Sequence, residues 1–238
     1  MKKYILFIVE GKNDKTEIQA ILRAGCGKSF SDNFVDAYHV HNGDITTEKD
    51  TTEKNIVGKL SDIVISWRNG GEQPFHKIMP ADVFKIIHIV DTDGVFIPEE
   101  SIIQTDDAKT KYHDDSINCM DPNVIIGRNR KKSKVLRRLI DVSQIDNIPY
   151  ELYFASCNMD HLLFDERNPS SAEKNRHSMQ FAVHCKNREF IDETVLTPDV
   201  CTIESYFESW EVIQYEYNSL QRFTNINLML DGIRRNPA

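Results

Sequence analysis

Positive charge is in short supply. The 238 residues carry 29 Lys and Arg against 37 Asp and Glu, a net charge of −8. That balance excludes a protein that coats nucleic acid through overall charge, although a local basic face can still grip phosphates. Cysteine is sparse as well: Cys26, Cys119, Cys157, Cys185 and Cys201 are odd in number, scattered, and include no C-x-x-C pair. A disulfide framework and a Cys-based zinc site are therefore not expected, and the thiols read as reduced and mostly packed. No run of about 18 apolar residues is present to span a membrane. The start, MKKYILFIV, meets Glu10 too early for a signal peptide. The chain is thus expected to be soluble, globular and cytoplasmic, with no membrane partner.

Two further sites are incomplete. AGCGKS (24–29) is similar to the tail of a P-loop, but Leu22 stands where a glycine is needed and the stretch follows a helical pattern rather than a strand, so ATP hydrolysis is not expected. His39 and His41 alternate on a strand and share a face, yet no third ligand stands at a recognisable spacing for zinc. Internal repeats and low-complexity linkers are also missing, and the length fits one domain with a sizeable elaboration or two small ones.

What is present is a set of buried-type strands. Residues 4–9 form a continuous Ile/Leu/Phe/Val run, and 13–24 place Ile18, Ile21 and Leu22 at helical spacing before Gly25, an expected helix stop. Residues 34–44 read as a strand ending in an Asn-Gly turn. Ile56, Leu60, Ile63, Val64 and Trp67 form one helical stripe that runs out at the glycine pair 70–71, and residues 85–90 give the next strand. This alternation predicts an α/β fold with a mainly parallel sheet flanked by helices. Residues 95–122, polar and acidic with Pro98 and Pro122 near the ends, read as a loop excursion. NVIIG (123–127) reads as a short strand, SKVLRRLIDV as a helix and 150–156 as another strand. The α/β unit is expected to span residues 1–157. A mostly helical C-terminal extension (158–238) follows, with Phe181, Ile203, Tyr206, Phe207 and Trp210 available for its core.

Two of these strands end on acids. YILFIVEGKND stops at Glu10, with Asp14 four residues on, and KIIHIVDTDG stops at Asp91 and Asp93. In an open parallel sheet the ligand crevice lies outside the C-terminal strand ends, so sequence-distant acids would converge there. An acid after a strand is often only a helix cap, and Asp14 suits a first helical turn. Two buried-type strands both ending in acids exceed what capping requires. Such a cluster needs a cation, and oxygen-only donors suit Mg²⁺ or Mn²⁺ and phosphate chemistry.

VEGKND resembles the first motif, and VDTDG the second, of the TOPRIM fold shared by topoisomerases, bacterial primases, ribosomal-RNA maturation ribonucleases and the overcoming-lysogenization-defect nucleases. The resemblance covers roughly residues 4–95, with the 150–156 strand as a possible addition. It implies that Glu10 serves as metal ligand or acid/base and that Asp91 and Asp93 hold Mg²⁺. Val95 stands where many members carry a third aspartate, which departs from a full acidic triad, and the length leaves no room for topoisomerase modules. Stand-alone members of this size are similar to effector nucleases that partner ATPases in anti-phage systems. That likeness directs attention to SCNMDHLLF, where Asp160 and His161 follow a strand end and would complete a second metal site or place a proton-transfer group. The alternative is a helix-capping Asp160 and a surface His161. Asp14 is placed behind the ligands as a support.

One local basic face offsets the acidic total. Residues 127–138 hold Arg128, Arg130, Lys131, Lys132, Lys134, Arg137 and Arg138 with no intervening acid, a candidate phosphate-backbone contact or else a solvated helix face. Lys132, within the Lys131/Lys132/Lys134 group, is the candidate catalytic cation that would stabilise a pentavalent phosphate. The expected function is a divalent-metal-dependent nuclease on DNA or RNA. The alternatives are a catalytically silent binding or regulatory module and a primase-like nucleotidyltransferase.

Overall fold

In the computed structural model, described for residues 2–70, 77–197, 199–201, 203 and 205–235, the elements alternate. In chain order they are β1 (Lys3–Val9), α1 (Lys12–Asn33), β2 (Phe34–Val40), α2 (Ile56–Arg68), β3 (Val83–Asp91), β4 (Ile102–Gln104), β5 (Lys111–Tyr112), β6 (Ile117–Cys119) and α3 (Pro122–Ile140). Then come β7 (Gln144–Ile145), β8 (Ile148–Ala155), α4 (Met159–Phe164), α5 (Ser171–His184), α6 (Arg188–Thr194), α7 (Tyr206–Val212) and α8 (Ile226–Arg235). The main sheet has the order β2-β1-β3-β8-β7. Its first four strands are parallel, and the short β7 is antiparallel to β8. The fold is α/β with a mainly parallel sheet flanked by helices, and no helix among the described residues is long and apolar enough to cross a membrane.

β1 shows why the strands carry no polar alternation. Ile5, Phe7 and Val9 enter one core with Ile18 and Ile21 of α1, while Leu6 and Ile8 enter the opposite core with Leu60, Val64 and Trp67 of α2 and Val135, Leu136 and Leu139 of α3. A sheet covered on both faces has no solvent side to keep polar. The first core also takes Phe181 of α5, Ile191 of α6 and Met229 and Leu230 of α8, so the C-terminal helices complete the layer that α1 begins. Trp210 is buried as expected, whereas Phe207 is exposed.

Several local expectations are corrected. Gly25 does not stop α1. The helix continues to Asn33 with a break at Gly27 (φ +57). A Cβ at Gly25 would meet the Leu230 side chain at 3.0 Å, so this glycine permits close packing of α8. NVIIG is not a strand but the start of α3, where the Asp121 side chain accepts the Asn123 N–H at 2.9 Å and Pro122 holds the first helical position. The 95–122 excursion carries its own sheet, ordered β4-β6-β5, over a small core that includes Ile97, Ile102, Ile117 and Leu220. The stop of α2 falls at Arg68 with Gly70 at φ +92, and Gly71 lies outside the described residues.

The turn after β3 is tightly packed. Gly94 has φ +65, and an added Cβ would sit 2.6 Å from Leu220 and 2.9 Å from Ile117. Gly94→Ala combines a left-handed backbone with overpacking and is expected to cost about 2–4 kcal/mol. Chemical denaturation measures it, and a loss near zero would show that the turn relaxes freely.

Candidate functional site

β1 and β3 are neighbours, and β1 has β2 on its other side, so the strand order reverses between β1 and β3. Ligand crevices of open α/β sheets form at such a switch point, outside the carboxyl ends of the strands. Glu10 follows β1 and Asp91 ends β3, and the two meet: Glu10 Oε1 accepts the Asp91 backbone N–H at 3.2 Å. Asp91 Oδ1 accepts the Met159 N–H at the start of α4, 3.0 Å away. Each acid thus spends one oxygen on the backbone. They line a cleft of about 510 Å³ together with Lys12, Asp14, His41, Asp160 and Lys174.

Electrostatics marks this pair. Burial, and next the Asp44 carboxylate, push the Glu10 carboxyl well above its usual range. Burial, and next Glu10, do the same to Asp91. Two acids raised by burial and by neighbouring carboxylates are held in a place that favours a cation or a proton.

Asp93 behaves otherwise. Burial alone would raise its pKa, yet Lys132 and Arg128 bring it below the usual aspartate value. Lys132 is fully buried, with Nζ 2.7 Å from both Asp93 Oδ2 and Asp44 Oδ2. Tyr112 Oη donates to Asp93 Oδ1 at 3.3 Å, and Arg128 donates to the Asp93 carbonyl at 2.8 Å and to Tyr112 Oη at 3.0 Å. Asn129 donates to the Gly94 carbonyl at 3.2 Å. The inward face of α3 therefore clamps the 93–94 turn, in which Asp93 itself has φ +52. Such strain persists where the surroundings over-determine it.

The four expected metal ligands do not form one group. Glu10 and Asp91 are together, Asp93 is turned to Lys132, and Asp160, in the same cleft, is 3.3 Å from His177 Nδ1 and 3.5 Å from Lys174 Nζ. Asp160 is not the cap of α4. Asn158 is, through the His161 N–H at 2.9 Å, and His161 is fully buried rather than on the surface. Asp14 accepts the Gly11 N–H at 2.8 Å, closing the first turn of α1. Among the described residues no three His, Cys, Asp or Glu side chains are grouped to hold a metal ion. A two-carboxylate site still fits Mg²⁺ or Mn²⁺, since Mg²⁺ keeps several waters and is held by one or two carboxylates plus substrate phosphates.

The basic run is not a single face. Arg128 and Lys132 point inward, so Lys132 is unavailable to a phosphate backbone, because the carboxylates at the strand ends draw it into the core. Lys131 reaches the Thr47 and Glu48 carbonyls, Arg130 pairs with Glu99 at 2.6 Å, and Arg137 donates to Gln214 at 2.8 Å. Lys134 and Arg138 are exposed, as are Arg130 and Arg137.

Sequence reasoning missed Asp44, Tyr112, Asn129, Lys174 and His177. Asp44 had a readable signal: it is a third acid just past a strand end, after the Asn42-Gly43 turn. Lys132 had one too, since it falls in the helical stripe of Ile125, Val135, Leu136 and Leu139. Tyr112, Lys174 and His177 had none, being delivered by long-range packing. No family model matches the chain, nor does any curated protein or solved structure.

Proposed function

We propose that this chain is a divalent-metal-dependent phosphodiesterase acting on nucleic acid, with a TOPRIM-type arrangement of its sheet. The observation that carries the reading is the contact between Glu10 and Asp91, which joins two sequence motifs 81 residues apart at the switch point of a parallel sheet. Glu10 and Asp91 would hold Mg²⁺ or Mn²⁺ through the oxygens they do not spend on the backbone. The ion supplies Lewis-acid polarisation of the phosphate and an activated water. Glu10 orients that water, and Lys12 and Lys174 bring positive charge to the cleft for a phosphate. Asp160, paired with Lys174 and His177, keeps this wall of the cleft in place. By the same resemblance the protein acts in the cytoplasm as an anti-phage effector beside an ATPase partner.

A second reading has one observation in its favour. Asp93, half of the Asp-x-Asp pair, is fully engaged with Lys132 and Tyr112, as in a catalytically silent module that keeps the fold and recruits a partner. Incubating the full chain with single- and double-stranded DNA and RNA in Mg²⁺, Mn²⁺ or chelator separates the two. Cleavage that appears with metal and stops with chelator supports the nuclease. Binding without cleavage in every metal supports the silent module.

Arg130, Lys134, Arg137 and Arg138 are the cations of α3 exposed to solvent, and they are the backbone contact under this reading. Reversing all four to Glu is expected to flatten the slope of log affinity against log salt by about 0.7–0.9 per lost phosphate contact. An unchanged slope assigns this face to solvent.

A further inference from the structure

We infer that the Lys132 ammonium is the resident cation between Asp44 and Asp93, standing where a second divalent ion would have to bind, so that the chain takes one exogenous ion, at Glu10 and Asp91. The inference rests on the proposed function only for the Glu10–Asp91 ion.

Two acids bracket the ammonium from two strand ends, Asp44 beyond β2 and Asp93 beyond β3, and the charge of Glu10, after β1, also acts on it. Lys132 Nζ lies 2.7 Å from one oxygen of Asp44 and 2.7 Å from one of Asp93, with its side chain fully buried. A buried ammonium is tolerated only when paired, and these carboxylates are its pairing. The other oxygens are taken as well. Asp93 Oδ1 accepts from Tyr112 Oη at 3.3 Å, and Asp44 Oδ1 accepts from Thr46 N at 2.8 Å and Thr46 Oγ1 at 2.5 Å.

A divalent ion bonds its oxygens at about 2.0–2.1 Å and would have to displace the ammonium to do so. The helix that carries the lysine is itself held. The lysine's helix neighbours Val135, Leu136 and Leu139 are buried, and Arg128 and Asn129 fasten the same face of α3 to the Asp93 and Gly94 carbonyls. In a two-metal site the ions lie about 4 Å apart and share the work of clamping the attacking and leaving oxygens. Here the protein's own ammonium holds the acids that a second ion would use, and the Asp-x-Asp pair is divided between the two cations, Asp91 to the ion and Asp93 to the lysine.

The test counts ions, with no need for turnover. Anomalous diffraction from wild-type crystals soaked in Mn²⁺ is expected to show a single ion per chain, bonded to Glu10 and Asp91, with Lys132 still between Asp44 and Asp93. An ion bonded to Asp44 or Asp93 in the wild type overturns the inference and leaves the nuclease reading standing. Titration of the full-length Lys132→Met variant with Mn²⁺, read by the electron paramagnetic resonance of free ion, is expected to raise the stoichiometry by one over the wild type. An unchanged count in a folded variant overturns the inference. If the wild type binds none and the variant binds one, Lys132 is still the resident cation, but the Glu10–Asp91 ion, and with it the proposed metal site, is overturned.

Discussion

Glu10→Gln is expected to lower metal-dependent cleavage and Mn²⁺ affinity by about 100-fold or more, at least what loss of an outer-sphere partner costs, while in chelator it melts at a higher temperature than the wild type. Both effects have one cause. The Glu10 carboxylate is held by burial beside Asp44, Asp93 and Asp14, so its charge attracts a cation and opposes the empty fold. Glutamine keeps the carbonyl oxygen that accepts the Asp91 N–H and removes the charge, without opening a cavity. The sign in pH follows. A carboxyl whose folded pKa is raised stabilises the fold at low pH, and that contribution is lost as pH rises through the folded value. The melting advantage of Glu10→Gln is therefore present at neutral pH and closes towards pH about 4, near the ordinary glutamate value. Asp91→Asn, which shares the burial and faces Glu10, is expected to behave alike. Calorimetry in chelator beside a cleavage assay measures both halves, and retained turnover in the two variants would remove the assigned site.

Lys132→Met is expected to destabilise the chain by about 3–5 kcal/mol, the usual result of stripping one partner from a buried ionic group. For a chain of this size that is a fall of about 10 °C or more in melting temperature. The methionine fills the space of the lysine stem, so the loss comes from Asp44 and Asp93 left charged and unpaired. Two rescues separate charge from packing. Adding Asp44→Asn and Asp93→Asn to Lys132→Met is expected to recover most of the stability, since neutral groups of nearly the same shape replace the whole set. Millimolar Mn²⁺ is expected to restabilise the single variant more than it does the wild type, because an ion that binds only the folded state adds its binding free energy to the fold. A triple variant as unstable as Lys132→Met would show that the lysine matters for packing, and the buried ion cluster would lose its significance.

Much of this was legible in the residues. β1 and the second half of β3 are continuous apolar runs because they are buried on two faces, and that pattern predicts a parallel sheet covered by helices. Glu10 and Asp91 stand out because nothing in a strand interior calls for an acid at its end. Where the reading failed, a local signal was outweighed. Gly25 looked like a helix stop and is a contact with Leu230. NVIIG looked like a strand because its three apolar residues hid the Asp-Pro cap before it. The run of cations in 127–138 looked like one face because a helix of 3.6 residues per turn distributes consecutive residues around its axis, and only packing tells which of them face the core.

By itself the sequence determined the alternation of strands and helices up to β3, the burial of the central strands and the convergence of Glu10 and Asp91, since each follows from local pattern and from the rule that parallel strands bring their carboxyl ends to one edge. Tertiary structure alone decided which acids share a cation. Asp91 and Asp93 are two residues apart and chemically identical, yet one faces Glu10 and the N-terminus of α4 while the other faces Lys132. That division depends on the docking of α3 onto the 93–94 turn and of α5 beside Asp160, contacts between segments dozens of residues apart. A side chain's partner at that range is fixed by the packing of whole elements, and no spacing along the chain records it.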